Sequence, residues 1–497
     1  MELIKAQGKR FLDASNRERI FRGINIGEKN APKELKKGDR FYLDLDDAFF
    51  RRCVSLGFNV IRLGLTWEDL EPEKGQINES FLRSVDEIFD KAAAYGVFLF
   101  LDMHQDLWSS FGNGIGDGAP LWASITDGAR PKPAKFVWAE GYFWGKAVHR
   151  AFDHFWANTP VLGKGVQDHF ADIWQLLARR YGDHPALLGY DLLNEPFPGS
   201  PGGKVFRKLI LRAVRVVVFS PSFHRIQALG DLTHKDRRDH LLDHLTGDIL
   251  RKVTKAGEKL IRSFDTEQYS PFVDRMTGAI REVTDKGILM MENCYYSNLG
   301  IPYSAHKARR GIGGPEDNNV CFAPHAYDFT VDTPAYDFAN AGRVGEMFAE
   351  HRRSQERLDL PVIVGEWGGG GDGERWLPHI TFLLNLFDRN AWGHTYWAYQ
   401  PDFFDRPLMR VLVRPYPTAV NGTIDAFSYD SETGVFEMTY TTPPVADAAV
   451  PTLVYLHRTP KSVAADGTYS LEPIYGSEAR TLSITAGAGT HAVRAEL

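Results

Sequence analysis

Along most of the chain, short runs of apolar residues alternate with longer stretches in which apolar positions recur every three or four residues. The short runs read as strands: "FRGINIG" (21–27), "FNVIRLGLTW" (58–67), "VFLFLDMHQ" (97–105) and "LLGYDLLNEP" (187–196). They continue with "GILMMEN" (287–293), "VCFAPHAY" (320–327), "PVIVGEWG" (361–368) and "GHTYWAYQP" (393–401). Between them, "LDDAFFRRCVSLG" and "FLRSVDEIFDKAAAYG" have helical spacing and end at glycine, a helix stop signal. Strands alternating with helices predict parallel βα units. A count near eight is what a closed (β/α)8 TIM barrel requires. A doubly wound open sheet is the competing α/β architecture, but no glycine-rich phosphate loop follows the first run.

The texture changes after Pro407. "RVLVRPYPTAVNGTIDAFSYDSETGVFEMTYTT" and the stretch that follows alternate apolar with polar residues, broken by Gly, Pro, Asp and Ser. This predicts a C-terminal antiparallel β-sandwich of common domain size, with residues 1–406 forming the barrel and 407–497 the sandwich. Two insertions interrupt the barrel rhythm, at 107–165 and 199–265, and loops of this length are usually functional or disordered. The second contains "KVFRKLILRAVRVVVFSPSFHRIQALG", apolar and basic together, the composition of a helix that meets a membrane or micelle surface. The alternative is an ordinary barrel helix packed on its neighbours.

Composition narrows the function classes. Hydrophobic residues at 43% and charged residues at 25% fit a folded globular chain and exclude wholesale disorder. A net charge of −6 offers no electrostatic capture of nucleic acid. Aromatic residues reach 12%; their flat apolar faces suit sugar rings and lipid, although they also fill cores. Cys53, Cys294 and Cys321 lack the paired spacing of a zinc site and read as buried free thiols. The first twenty residues carry charges throughout and no apolar leader segment, which points to the cytoplasm if this is the native start. No apolar run approaches the ~20 residues that span a bilayer.

In a barrel, the chemistry gathers at the carboxyl ends of the strands. Those ends carry Asn25 and Lys29, Arg62 and Trp67, His104 and Asp106, and Asn194 and Glu195. The later strands add Glu292 and Asn293, His325 and Tyr327, Glu366, and Trp397. Glu195 and Glu366 each end an apolar run, and glycoside hydrolysis needs two carboxyl groups flanking one bond. One protonates the leaving oxygen and must keep its proton near neutrality, through burial or a nearby negative charge. Asn194 is placed to bond a sugar 2-hydroxyl. His325 and Tyr327, two apart, face one side of their strand and are placed to tune Glu195 and hold Glu366. Trp397 offers an aromatic floor. Each residue also has a structural reading: a strand-end Glu paired with Arg62, a satisfied core histidine, a core tryptophan. A metal site from His104, Asp106 and His325 is a further alternative, needing three converging ligands and an open position.

The motifs "LLNEP", "HAY", "GEW" and "YW", in that order on strands four, six, seven and eight, resemble glycoside hydrolase family 5. More narrowly, "LDMHQDLWSSFGNGIGDGAPLWA", "AFDHFW", "YDLLNEPFPG", "PHAYD" and "RPYPTAVNGT" resemble the endoglycoceramidases. The resemblance implies that Glu195 is the acid/base and Glu366 the nucleophile of a retaining hydrolase without metal or cofactor. It makes Asn194, His325, Tyr327 and Trp397 their neighbours, with Lys29 and Asp106 contacting the sugar nearest the scissile bond; Arg62 and His104, read from their strand ends, are further candidate substrate contacts. The implied substrate is a glycosphingolipid, cut between intact glycan and ceramide. Three alternatives stay open: a glucosylceramidase or galactosylceramide-type relative, a polysaccharide endo-β-glucanase, and a non-catalytic glycolipid-binding barrel.

Overall fold

The structure is a computed structural model. It describes the chain except residues 28–40, 42, 113, 136, 220–245, 332, 334, 335, 372, 374 and 375, and the side chains of 217 and 218. Eight parallel strands make the first unit: β1 (Arg22–Gly27), β2 (Val60–Thr66), β3 (Phe98–His104) and β4 (Leu187–Asp191). They are followed by β5 (Ile288–Met291), β6 (Val320–Phe322), β7 (Ile363–Val364) and β8 (Gly393–Tyr396). The sheet runs β6-β5-β4-β3-β2-β1-β8-β7, and parallel bridges Phe322–Val362 and His325–Glu366 join its two edges into a (β/α)8 barrel.

Every residue of these eight strands is buried, which is why the sequence shows mostly apolar runs instead of alternation. Successive side chains on a strand point to opposite faces. Ile61, Leu63, Leu99 and Leu101 therefore join the core under the helices, while Val60, Phe98, Phe100, Leu188, Met290 and Ile363 fill the barrel interior. The inward column changes character towards the carboxyl end: Val60 gives way to Arg62, and Phe98 and Phe100 to Asp102 and His104. The helices follow their patterns; Glu79–Tyr95 is capped by the Asn78 side chain and stops at Gly96 in the left-handed conformation.

The second unit is two antiparallel sheets. The four-stranded one contains Thr423–Asp430, Val435–Thr442, Gly489–Glu496 and Ser462–Ala465. The seven-stranded one contains Tyr416–Val420, Thr452–Leu456, Arg480–Thr485 and Thr468–Pro473, together with Lys5–Gln7, Arg10–Leu12 and Glu18–Arg19 from the start of the chain. Reading residues 1–406 as barrel overlooks this pairing, in which Ala419 and Val420 take Arg19 and Glu18 as ladder partners. Lys5–Gln7, Arg10–Leu12 and Glu18–Arg19 pair with one another in turn, and only the last of them reaches the sequence-distant edge at Tyr416–Val420. Ile4, Ala6 and Phe11 also reach the barrel interior, with Phe11 edge-on to Phe21.

The two units are welded by polar contacts buried between them. Arg22 of β1 and Arg414 of the connection both pair with Asp388, and the Arg22 guanidinium lies 4.2 Å from the Tyr416 ring centre. Tyr416 Oη donates to the Gly57 carbonyl (2.7 Å) and Tyr455 Oη to the Ser55 carbonyl (2.8 Å). Gly57 has φ +79°, and a Cβ there would lie 2.6 Å from the Tyr455 ring, so glycine is required on both counts.

The insertions add helices over the barrel mouth. In 107–165, Glu140–Trp144 and Lys146–Trp156 bring Tyr142, Phe152 and Phe155 into the core beside Trp108. In 199–265, Ser200–Phe219, Gly247–Thr254 and Glu258–Phe264 are helical. No helix among the described residues is long and apolar enough to cross a membrane.

Candidate active site

Arg62 of β2 is fully buried at the axis of the barrel mouth and organises the charges around it. Its Nε donates to Asp191 Oδ2 (2.8 Å) and its Nη1 to Glu366 Oε1 (2.6 Å) and Asn25 Oδ1 (3.1 Å). Its Nη2 donates to Asn194 Oδ1 (2.9 Å) and Glu292 Oε1 (2.8 Å) and lies 3.0 Å from Asp102 Oδ1. Burial alone would lower the guanidinium pKa, but Asp102, Asp191, Glu366 and Glu292 hold it well above its ordinary value. One cation faces four carboxyl groups. Burial, then Asp191, pushes Glu292 well above the usual carboxylate range, and burial carries Asp191 to about 6 against the opposing pull of Arg62.

Glu195 lies just past β4, where the apolar run leaves the ladder at Asp191. Its Oε1 accepts from Asn298 Nδ2 (2.7 Å) and lies 3.2 Å from His325 Nδ1. Burial pushes His325 down to about 3 against the field of Glu366, so this imidazole is neutral. Its backbone N–H donates to Asn293 Oδ1 (3.1 Å), and its carbonyl oxygen lies 3.0 Å from His351 Nε2. Glu366, just past β7, is held by Arg62 on Oε1 and by the Tyr327 hydroxyl on Oε2 (2.9 Å). Ligating atoms of Glu195, His325 and Glu366 all lie within 4.8 Å of one another.

A second group sits beside this pair. His104 Nδ1 is 2.7 Å from Asp102 Oδ2, and its Nε2 is 3.7 Å from Asp106 Oδ2. Burial works against a proton there, but the charge and hydrogen bond of Asp102, with Asp106, raise His104 to about 10. The resulting imidazolium stacks on Trp397 at 5.3 Å between ring centres and 10° between planes. Trp397 itself is half-buried, leaving part of its indole open. Among the groups weighed as metal ligands, His104 and Asp106 approach Asp117, whereas His325 lies with Glu195 and Glu366. Lys29 lies outside the described residues. Trp67 is core, packed edge-on against Trp122 and Phe170.

Several residues of the site escaped sequence reasoning. Asn298 comes from a short turn after β5 with no local signal of its role. Gln105 was visible only as part of "MHQD", yet its Nε2 donates to the Asn194 carbonyl (2.8 Å). Asn194 Nδ2 answers by donating to the Gln105 carbonyl (3.0 Å), so the Asn194 amide, engaged by Arg62 as well, is fixed on both sides. Glu292 was noted at a strand end without a function.

The family model described as Cellulase (glycosyl hydrolase family 5) matches residues 35–403. The chain belongs to glycoside hydrolase family 5. A model of the glycoside hydrolase family 5 C-terminal domain matches residues 414–494, so family 5 accounts for the second unit too. An endoglycoceramidase from Cyanea nozakii is 31% identical over 39% of this chain, a match spanning only 42% of that relative's length. Endoglycoceramidase I from Rhodococcus hoagii is 26% identical over 88% of this family 5 chain and 77% of its own. Among solved structures, Endo-glycoceramidase II from Rhodococcus sp., titled as a lactosyl-enzyme intermediate, superposes with a TM-score of 0.71 at 25% identity. That superposition covers 97% of this chain and 98% of the other.

Proposed function

We propose that this chain is a retaining glycoside hydrolase that cuts the β-glycosidic bond between the glycan and the ceramide of glycosphingolipids. The observation that carries the reading is the pair Glu195 and Glu366, with carboxyl oxygens within 4.8 Å across the barrel mouth. A gap of about 5–5.5 Å between carboxyl groups is what a double displacement uses, leaving no room for water between base and sugar. Glu366, aligned by Arg62 and Tyr327, attacks the anomeric carbon. Glu195 gives its proton to the ceramide oxygen as the carbon–oxygen bond breaks. Glu195 then takes a proton from water, which attacks the anomeric carbon and releases Glu366 with net retention.

Neutral His325 keeps a second cation out of the space between the two carboxyl groups. The Trp397 face forms the floor under the reacting sugar, with Asn194 at its 2-hydroxyl and Asp106 and His104 towards its other hydroxyls. The endoglycoceramidase names of the relatives and the lactosyl-enzyme intermediate of the Rhodococcus sp. protein support the substrate class and the covalent path. The test is product analysis after incubation with a multi-sugar glycosphingolipid in detergent. Intact oligosaccharide plus ceramide is expected. Inertness there with glucose released from glucosylceramide would replace the endo reading with a single-sugar pocket, and cleavage of plain β-glucan would point to an endoglucanase.

The same reading places the enzyme at a lipid surface through the Ser200–Phe219 helix. Ile210, Leu211, Val214 and Phe219 are exposed on it, and Lys204, Arg207, Lys208, Arg212 and Arg215 stand among them without an acidic residue. Phe143 stacks on Phe206, and the exposed Trp144 packs edge-on against it, extending the apolar rim. Apolar side chains flanked by cations suit an anionic bilayer. A buried side chain of this size contributes about 1.5–3 kcal/mol, so replacing Leu211 and Val214 by Ser should weaken vesicle binding roughly tenfold or more. Hydrolysis of a water-soluble aryl glycoside should stay unchanged. Equal loss on vesicles and on the soluble glycoside would remove the surface from the proposal.

A further inference from the structure

Glu195 is a non-glycine residue with φ +42°, in the left-handed region that side chains with a Cβ avoid. Something must hold it there. Its backbone N–H donates to Glu292 Oε2 (2.7 Å), from the end of β5 on one side of β4. From the end of β3 on the other side, Gln105 Nε2 donates to the Asn194 carbonyl (2.8 Å) and reaches the Glu195 carbonyl at 3.4 Å. Gln105 is in turn fixed, its Oε1 accepting from the Trp108 N–H (2.8 Å) and the Tyr142 hydroxyl (3.3 Å). Glu292 is fixed by Arg62 on its other oxygen. The Asn194-Glu195 backbone is thus gripped by side chains from both neighbouring strands.

We propose that Glu292 and Gln105 are positioning residues that hold Glu195 in its turned conformation, and so set its aim at the leaving-group oxygen. This rests on Glu195 being the acid/base. Freed from the grip, the Glu195 backbone relaxes towards the ordinary regions and swings its carboxyl away from Asn298 and His325. A shift of about 1 Å in such a group costs on the order of a hundredfold in rate. The loss is selective. An alkoxide such as that of ceramide leaves only with a proton, whereas dinitrophenolate leaves without one.

The experiment measures kcat/KM, which reports the steps through the first bond cleavage, for a ceramide-linked or alkyl lactoside and for dinitrophenyl β-lactoside. Glu292→Gln presents an amide where either Glu195 or Arg62 needs an acceptor. It should lower kcat/KM on the alkyl substrate by roughly tenfold to a hundredfold and on the dinitrophenyl substrate by less than about threefold. Gln105→Met removes the second grip without touching Arg62 and should shift the same ratio in the same direction, which keeps the test alive if Glu292→Gln does not fold. Equal losses on both substrates would mean that Glu292 acts through Arg62 on the nucleophile, and no loss on either would mean no role; both overturn the proposal. Glu195→Gln run in parallel separates the two levels. If it shows no leaving-group dependence, the acid assignment fails; if it does and the other two variants do not, only the positioning role fails.

Discussion

Glu366→Gln is expected to lower turnover by roughly 10³-fold or more on every substrate, activated or not, because the proposed double displacement loses the group that forms its covalent bond. The loss should come without unfolding. Arg62 keeps Asp102, Asp191 and Glu292 as partners, so the buried guanidinium stays paired when the Glu366 carboxyl becomes an amide. Tyr327 keeps an acceptor in the amide oxygen. The check is steady-state kinetics alongside thermal unfolding, with mass spectrometry of enzyme incubated with a slow, fluorinated activated glycoside. Wild type should gain one glycosyl mass on the peptide containing Glu366, and the variant none. Label on another residue, or a variant with full activity, would move the nucleophile elsewhere.

Removing Asp388 should have the largest effect on stability. Arg22 and Arg414 are both buried and both pair with its carboxylate, and burial pushes the Arg22 pKa down against the stabilising charge of Asp388. Asp388→Ala would leave two cations side by side in a water-poor seam between barrel and sandwich. Breaking a buried pair from one side costs about 3–5 kcal/mol, more than a surface bridge contributes. Chemical denaturation should show a correspondingly lower midpoint, and Asp388→Asn, which keeps one acceptor oxygen, an intermediate one. A variant within about 1 kcal/mol of wild type would show that the seam relaxes enough to hydrate the arginines. The kinetics of such a variant at low temperature should be nearly native, since the seam lies at the end of the barrel opposite the mouth.

The barrel was legible because its strands are buried on both faces, so that eight continuous apolar runs punctuate a helical pattern. The runs overshoot the ladders. "LLGYDLLNEP" reads as one strand, but pairing stops at Asp191, and the remainder is the turn that carries Asn194 and Glu195 into the mouth. Arg62 read as a partner for one strand-end glutamate or as a substrate contact. In the structure it is the hub for four carboxyl groups, because Asp102 of β3, Asp191 of β4, and Glu292 and Glu366 just past β5 and β7 converge with it on one axis. That convergence is invisible from any single strand.

The acidic and aromatic chemistry at strand ends, the order of the strands and the change to alternating strands after the barrel are all properties of local pattern, and the sequence by itself determined them. Tertiary structure alone decided what depends on contacts across hundreds of residues. The N-terminal strands pair with the C-terminal sheet, since a two- or three-residue strand has no stability until an edge is offered to it. Asn298 meets Glu195 because a turn after β5 folds back over β4. His104 takes a proton and His325 loses one, although both are buried strand-end histidines, because Asp102 lies against the first while burial dominates the second. Residue type supplies the groups that can carry charge; which of them do is set by the distances and the loss of water that only the closed barrel creates.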